Sequence, residues 1–467
     1  MTRHAKIPKV IVRFFCLSLL SLTGCASYPV NPAINTLDFE DRVDFAHMRP
    51  REKLDDEILF FMTFSGGGTR AAALSYGVLE KLANTSIEID GQPRRLLDEV
   101  DVISSVSGGS FTAAYYGLFG EQIFEDFETR FLKRNVQGGL IRQLSNPRNW
   151  FRLPSRTFGR SDLAAELYDK HLFQGLTFGD LRDRSETAIV INATDATQGT
   201  EFSFHQAQFD WICSNIAAYP VARAVAASSA VPGALGSITL RNHAGNCNFE
   251  TPVWITQALS KRQTHTSEYQ QANRIASYLD SDERPFIHLL DGGLSDNLGV
   301  RAILDQIIVL GGIVESLRGV GMGQIRKIVV IIVNAETASE KDLDLLERLP
   351  LLAQLKTASR VPINRYNYET ISLLNKQLAQ WRDEIVEARC VHKQSASGSG
   401  TDACADVDTY LIEVSFDALE DKSEQQYFKQ LPTSFKLSDE EVDKLRDAAA
   451  RILAESEEFN RLLTETQ

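Results

Sequence analysis

The sequence predicts an α/β fold, a mainly parallel central sheet flanked by helices, followed by a mostly helical C-terminal region. Three observations carry that expectation. Short apolar stretches that read as buried strands alternate with helix-length amphipathic stretches along most of the 467 residues. Three of these strands end in glycine-rich turns. Ile58–Phe64 precedes Ser65-Gly66-Gly67-Gly68-Thr69-Arg70, residues 100–104 precede Ser105-Val106-Ser107-Gly108-Gly109, and Phe286–Leu290 precedes Asp291-Gly292-Gly293. Finally, hydrophobic and charged fractions of 43% and 24% belong to a globular chain long enough to bury a large core.

Taken in chain order, residues 71–83 follow the first strand as a helix, with Leu74, Val78, Leu79 and Leu82 on one face. Residues 109–119 form the helix behind the second turn. A further strand falls at 188–193, and a helix of small residues at 217–229 is stopped by Pro232 and Gly233. Residues 326–334 are another buried strand. Strands alternating with helices argue for parallel neighbours covered on both faces. Beyond Ala335 helices dominate, among them 368–388. A Ser/Gly-rich loop at 395–400 leads into strand-like 410–416. Ser438 and Glu441 form a capping box for a last helix, whose apolar face holds Val442, Leu445, Ala449 and Ile452. The chain therefore divides into a signal segment (1–24), a polar tether (25–57), the main domain (58–335) and the mostly helical region (336–467), which either stands alone or completes the main domain.

Glycine turns at the ends of buried strands are where an α/β sheet keeps its chemistry. Ser107, flanked two residues away by the small Ser105 and Gly109, suits a nucleophile on a sharp strand-to-helix elbow, where bulk would keep strand and helix apart. Gly66, Gly67 and Gly68 suit backbone donors around a developing oxyanion, reinforced by the helix N-terminus that follows. Asp291 suits a carboxylate base. An ordinary aspartate titrates near about 3.9, too acidic to take a hydroxyl proton at neutral pH, so the role requires burial that raises its pKa. Each run alone also fits plain structure: a Gly-Ser loop, a turn aspartate, or a glycine run parsed as a nucleotide-binding G-x-G-x-x-A. That last parsing lacks an acidic residue on a second strand and the lysine of a phosphate-binding loop. A triad would need His392, the only histidine after Asp291, because His288 lies an odd number of residues before Asp291 on one strand and points to the opposite face.

In this order the three runs resemble the patatin-like phospholipase family. Its hallmarks are a glycine-rich oxyanion loop ending near an arginine, a G-x-S-x-G elbow and a D-G-G or D-G-A base motif. The resemblance covers roughly residues 58–334. It implies a three-layer fold and a dyad of Ser107 and Asp291 working through an acyl-enzyme, with an oxyanion hole from Gly66, Gly67 and Gly68. Arg70, Gly109, Gly292 and Gly293 support it, no metal or organic cofactor takes part, and the substrate is a phospholipid or lysophospholipid. Two positions depart from the pattern: Ser105 replaces a glycine, and Ser65 replaces an aspartate often found there. Arg70 keeps the family's arginine, to hold the loop, a phosphate or a structural ion pair. Acyl transfer to another alcohol uses the same residues. The competing class is a non-catalytic lipid-binding or assembly protein that retains the fold.

The N-terminus reads differently. Arg3, Lys6, Lys9 and Arg13 precede the apolar residues 14–22, then Leu22-Thr23-Gly24-Cys25, as in a secretory signal. The tetrad resembles a bacterial lipobox, which implies lipid on Cys25 and an exported lipoprotein of the cell envelope, with Ala26 pointing to the outer membrane. An ordinary secretory signal or short anchor is the plainer reading. Cleavage would remove four positive and no negative side chains, taking the formal charge from −13 to −17. An acidic body disfavours nucleic acid as a partner. Cys213, Cys247, Cys390 and Cys404 remain, either as buried thiols or as disulfides, of which Cys213–Cys247 with Cys390–Cys404 closes the shortest loops. Against the acidic background, residues 129–161 hold eight basic side chains and no acidic one, interleaved with Phe131, Trp150, Phe151 and Phe158. This segment reads as a lid or docking face for anionic head groups, with Arg148, Arg152 and Arg156 as contacts, or as a solvated loop paired with acidic neighbours. Phe124, Phe127 and Phe131, at helical spacing, read as core. The sequence carries no expectation of oligomeric state.

Overall fold

A computed structural model describes residues 26–37, 57–89, 91–337, 347–395 and 406–466. Its centre is an eight-stranded sheet. The strands are β1 (Ile58–Phe64), β4 (Val102–Val106), β5 (Ala188–Asp195), β6 (Glu201–Phe204), β7 (Ile238–Arg241), β8 (Phe286–Leu290), β9 (Lys327–Asn334) and β10 (Asp408–Ser415), while β2 (Ser86–Ile89) and β3 (Gln92–Arg95) form a separate hairpin. The order is β10-β9-β1-β4-β5-β8-β7, with β6 also paired to β5. The five strands from β10 to β5 are parallel; β6 and β8 each pair antiparallel with β5, and β7 pairs antiparallel with β8. β1, β4 and β9 are buried along nearly their whole length, as strands covered on both faces must be.

The helices that position the site are α1 (Thr69–Ala83), α2 (Gly108–Phe119), α3 (Val136–Ser145), α4 (Arg160–Tyr168), α5 (Val221–Ser228), α6 (Leu351–Ser395) and α7 (Asp439–Glu455). The mainly parallel, helix-flanked sheet and the helical C-terminal region agree with the sequence reading. β6 and β7 escaped that reading because each is a run of four residues between loops, too short for a periodic signal.

The C-terminal region is bound to the sheet and to α1. β10 extends the sheet beside β9 in continuous register from Asp408 opposite Lys327 to Ser415 opposite Asn334. α7 begins with the expected Ser438–Glu441 capping box and crosses α1 at Gly77, where a Cβ would lie 2.6 Å from the Arg446 carbonyl oxygen. Arg446 then clamps the crossing, reaching Glu80 at 2.7 Å and Glu128 at 2.6 Å with its guanidinium over the Tyr76 ring.

The N-terminal residues 26–37, predicted as tether, are docked against the body. The Ala26 carbonyl accepts hydrogen bonds from Ser155 Oγ (2.5 Å) and Thr157 Oγ1 (3.3 Å), and the Tyr28 N–H donates to Thr157 O. Asn31 reaches Ser214 Oγ and Arg241 O, both at 2.9 Å. Cys213 and Cys247 form a disulfide, and Cys390 is also disulfide-bonded. Cys25, Cys404, the signal segment and the Ser/Gly-rich residues 396–400 lie outside the described residues.

Candidate active site

Strand register brings two of the three glycine turns to one level. Val106 of β4 lies opposite Asn192 of β5, and Leu290 of β8 lies opposite Thr194. Because β8 runs antiparallel to β5, one further residue on each strand puts Ser107 and Asp291 both level with Ala193. β1 supplies the third turn, since Phe64 opposite Ser105 puts Gly66 beside Ser107.

At the elbow, Ser107 sits at φ 47°, ψ −114°, between the end of β4 and the start of α2. That conformation costs about 1–3 kcal/mol for a residue with a side chain and must be held by its surroundings. The Ser107 N–H donates to Ser228 Oγ (2.7 Å), whose hydroxyl donates to Asn192 O (2.6 Å). Asn192 in turn donates to Ser104 Oγ and Ser105 O. Two glycines are required by contact. A Cβ at Gly109 would stand 2.6 Å from Phe64 Cβ, and one at Gly108 would stand 2.1 Å from Gly68 O. Ser105, the departure from the family pattern, fits because its hydroxyl donates to Val190 O on β5 at 3.0 Å.

Ser107 Oγ donates to Asp291 Oδ2 at 2.9 Å, and the Gly293 N–H donates to Asp291 Oδ1 at 2.9 Å. Thr194 Oγ1 holds the Asp291 carbonyl, and the Asp291 N–H donates to Ala230 O beyond α5. Burial pushes the Asp291 carboxyl up to about 6, against the opposing pull of the Gly293 N–H and the Ser107 hydroxyl. Gly292 lies against Asn192, where a Cβ would meet the carbonyl oxygen at 2.4 Å. His288 pairs with Thr239 at 3.0 Å on the exposed face of β7 and β8. His392 lies on α6 and its side chain is outside the described residues.

The glycine loop differs from expectation in one respect. The Gly66 N–H donates to Asn297 O at 3.0 Å, so it is not available to an oxyanion. Gly67 (φ 147°) and Gly68 (φ 62°) have no hydrogen-bonded N–H among the described residues, which reduces three expected donors to two. Gly68 is pinned between the elbow and Ser434, whose carbonyl accepts from the Thr69 N–H at 2.9 Å. Arg70 is buried. It donates to Ala335 O (3.0 Å), Leu431 O (2.6 Å) and Thr433 Oγ1 (3.3 Å), tying the loop to β9 and to the C-terminal segment. Burial lowers its pKa to about 10, with a further contribution from Arg360. Ser65 Oγ accepts from the Ala335 N–H at 2.9 Å.

Sequence reasoning missed Ser228, Asn192, Asn297 and Ser434. Each acts through a contact far along the chain, and none belongs to a motif of its own. The basic segment is mixed. Arg130 and Lys133 pair with Asp126 and Glu128, and Arg152 pairs with Glu166 over the Phe158 ring. Arg148 and Arg156 are exposed, as are Trp150 and Phe151. Phe127 and Phe131 are core, and Phe124 packs partly buried against it.

The model of the patatin-like phospholipase family matches residues 62–304, just over half of the chain. The chain belongs to the patatin-like phospholipase family. Among solved structures, human GIVD cytosolic phospholipase A2 is similar at a TM-score of 0.41 and 11% identity over 92% of this chain and 67% of that one. The same human protein in complex with methyl gamma-linolenyl fluorophosphonate gives 0.41 and 12%, over 92% of this chain and 64% of that one. This patatin-like chain thus spans about two thirds of those structures. No curated protein sequence matches it.

Proposed function

We propose that this patatin-like protein is a serine acyl hydrolase that cleaves fatty-acyl esters of phospholipids or lysophospholipids through Ser107 and Asp291. The observation that carries the reading is the 2.9 Å hydrogen bond from Ser107 Oγ to a buried Asp291 carboxylate whose pKa stands at about 6. A base titrating there is largely ionised at neutral pH yet strong enough to take the hydroxyl proton as Oγ attacks. In the acylation step, Oγ bonds to the ester carbonyl carbon while its proton moves to Asp291 Oδ2. The carbonyl electron pair moves onto oxygen, where the Gly67 and Gly68 N–H groups receive it. Collapse expels the alcohol, which takes the proton back from Asp291, and leaves the acyl chain on Ser107. Water, deprotonated by the same carboxylate, then releases the fatty acid. Another alcohol in place of water would give acyl transfer.

Fatty-acid release from phospholipid and lysophospholipid micelles tests the reading. Wild type releases fatty acid, and Ser107→Ala reduces the rate to background. Equal release by both would overturn it.

We infer further that Cys25 carries lipid and places the protein on the envelope of its host, with the active site served by that membrane. The lipobox-like Leu22-Thr23-Gly24-Cys25 and the docked residues that follow it support this. Cys25→Ser moves the protein from the membrane fraction to the soluble fraction; retention in the membrane would contradict lipidation.

A further inference from the structure

Beside the site, a cavity of about 400 Å³ opens between α3 and α4. Arg130, Arg134, Arg142, His171, Asn146 and Tyr168 line it, and none of its lining residues is acidic. In a chain of net charge −13, that concentration of cations around one concavity is the opposite of the average surface. Arg130 is already paired with Asp126. Arg134 and Arg142 are exposed, neither forms an ion pair among the described residues, and Arg142 makes one long contact to the Gly138 carbonyl. His171 feels the result: burial, then Arg134, Lys170 and Arg142, lower its pKa. The field inside the cavity is therefore positive and without a counter-charge of its own.

One lining residue also neighbours the reacting groups. Tyr168 lines the cavity and is 1% exposed. Its hydroxyl lies beside Ser229 but finds no hydrogen bond of good geometry among the described residues, and Asp291 raises its pKa after burial does. Ser229 follows Ser228, which holds the Ser107 N–H. One side chain thus borders both the cationic cavity and the dyad.

We propose that this cavity binds the phosphate of a lipid head group, with Arg134 and Arg142 pairing with its oxygens, while the ester lies at Ser107. The lining suits a phosphate, since a tetrahedral anion takes charge-assisted hydrogen bonds from two guanidinium groups at once. It also shifts the head-group contacts from Arg148, Arg152 and Arg156 to Arg134 and Arg142. The proposal rests on the reading of the chain as a lipid-ester hydrolase.

The test compares wild type with Arg134→Gln/Arg142→Gln and with Arg148→Gln/Arg156→Gln, all exposed substitutions. Fluorophosphonate labelling of Ser107 is measured first in each and reports the hydrolase reading independently. Hydrolysis of a phospholipid is then compared with that of a diacylglycerol bearing the same chains. The cavity pair should lower kcat/KM on the phospholipid at least about tenfold, mainly through KM, and leave the diacylglycerol and the labelling rate unchanged. Separately, glycerol phosphate and inorganic phosphate are titrated into Ser107→Ala protein while the His171 imidazole resonance is followed. Saturable shifts with glycerol phosphate, lost in the cavity pair, support the site. Normal labelling with equal losses on both esters, with no loss on either, or with the loss confined to Arg148→Gln/Arg156→Gln, would overturn it. Tighter binding of inorganic phosphate without discrimination between the esters would make the cavity a free-phosphate site and overturn the head-group assignment.

Discussion

In the proposed dyad, Asp291 couples catalysis to stability. A carboxyl whose pKa is raised on folding favours the folded state while protonated. That contribution is present below its ordinary value of about 4, is lost as the pH rises through about 6, and leaves a buried charge costing about 3 kcal/mol above that. Asp291→Asn removes the charge and can still accept from the Gly293 N–H. Its thermal midpoint should therefore exceed that of wild type at pH 8 and match it at pH 4, while acyl hydrolysis falls about 10²–10⁴-fold. Equal midpoints at both pH values would mean that the carboxylate carries no burial penalty. In wild type, the acidic limb of kcat/KM should fall near pH 6, not near 4. The need for a raised value was legible in the sequence from the apolar strand before Asp291. The opposing hydrogen bonds from Gly293 and Ser107 were not, because they depend on the turn.

The strand-to-helix elbow shows how local motif and distant contact divide the work. Its sharp turn was readable from Ser107 and Gly109. Gly108 had no assigned role, yet a side chain there would strike the Gly68 carbonyl at 2.1 Å. Gly108→Ala should accordingly displace the oxyanion loop and lower hydrolysis at least about 100-fold, a loss of one stabilising donor or more. Activity near that of wild type would show that the loop can yield. Ser105 makes the converse case. It departs from the family pattern, and its hydroxyl is spent on Val190 O. Ser105→Gly should cost about 1–2 kcal/mol in denaturant unfolding, from the lost hydrogen bond and added backbone freedom, and leave hydrolysis nearly unchanged. A large change in rate would place Ser105 in the chemistry. Gly66 was misread as a donor because a glycine run does not reveal which N–H already has a partner across the fold.

At the scale of the molecule, the chain closes on itself around the site. Ser434 and Leu431, from the C-terminal region, hold the glycine loop through Thr69 and Arg70, a dependence that no local pattern in residues 336–467 announced. At the other end, Ala26 is fastened to Ser155 and Thr157, within the basic segment. Trp150, Phe151 and Ile141 are each more than half exposed on that segment. An anchor at Cys25 would hold these side chains against the bilayer, where aromatic rings favour the interface. Replacing Trp150 and Phe151 by serine should weaken binding of the unlipidated protein to anionic vesicles at least about tenfold, since each aromatic buries a large apolar area. Unchanged binding would mean that another surface faces the lipid.

The central claim is that Ser107 is an activated nucleophile made so by Asp291. The measurement that reaches it most directly is covalent labelling by a fluorophosphonate, with the modified residue mapped by mass spectrometry. Wild type should label at Ser107 alone, Ser107→Ala not at all, and Asp291→Asn at a rate lower by about 10²-fold or more. Labelling of Asp291→Asn as fast as wild type, or no labelling of folded wild type in the presence of lipid micelles, would contradict it.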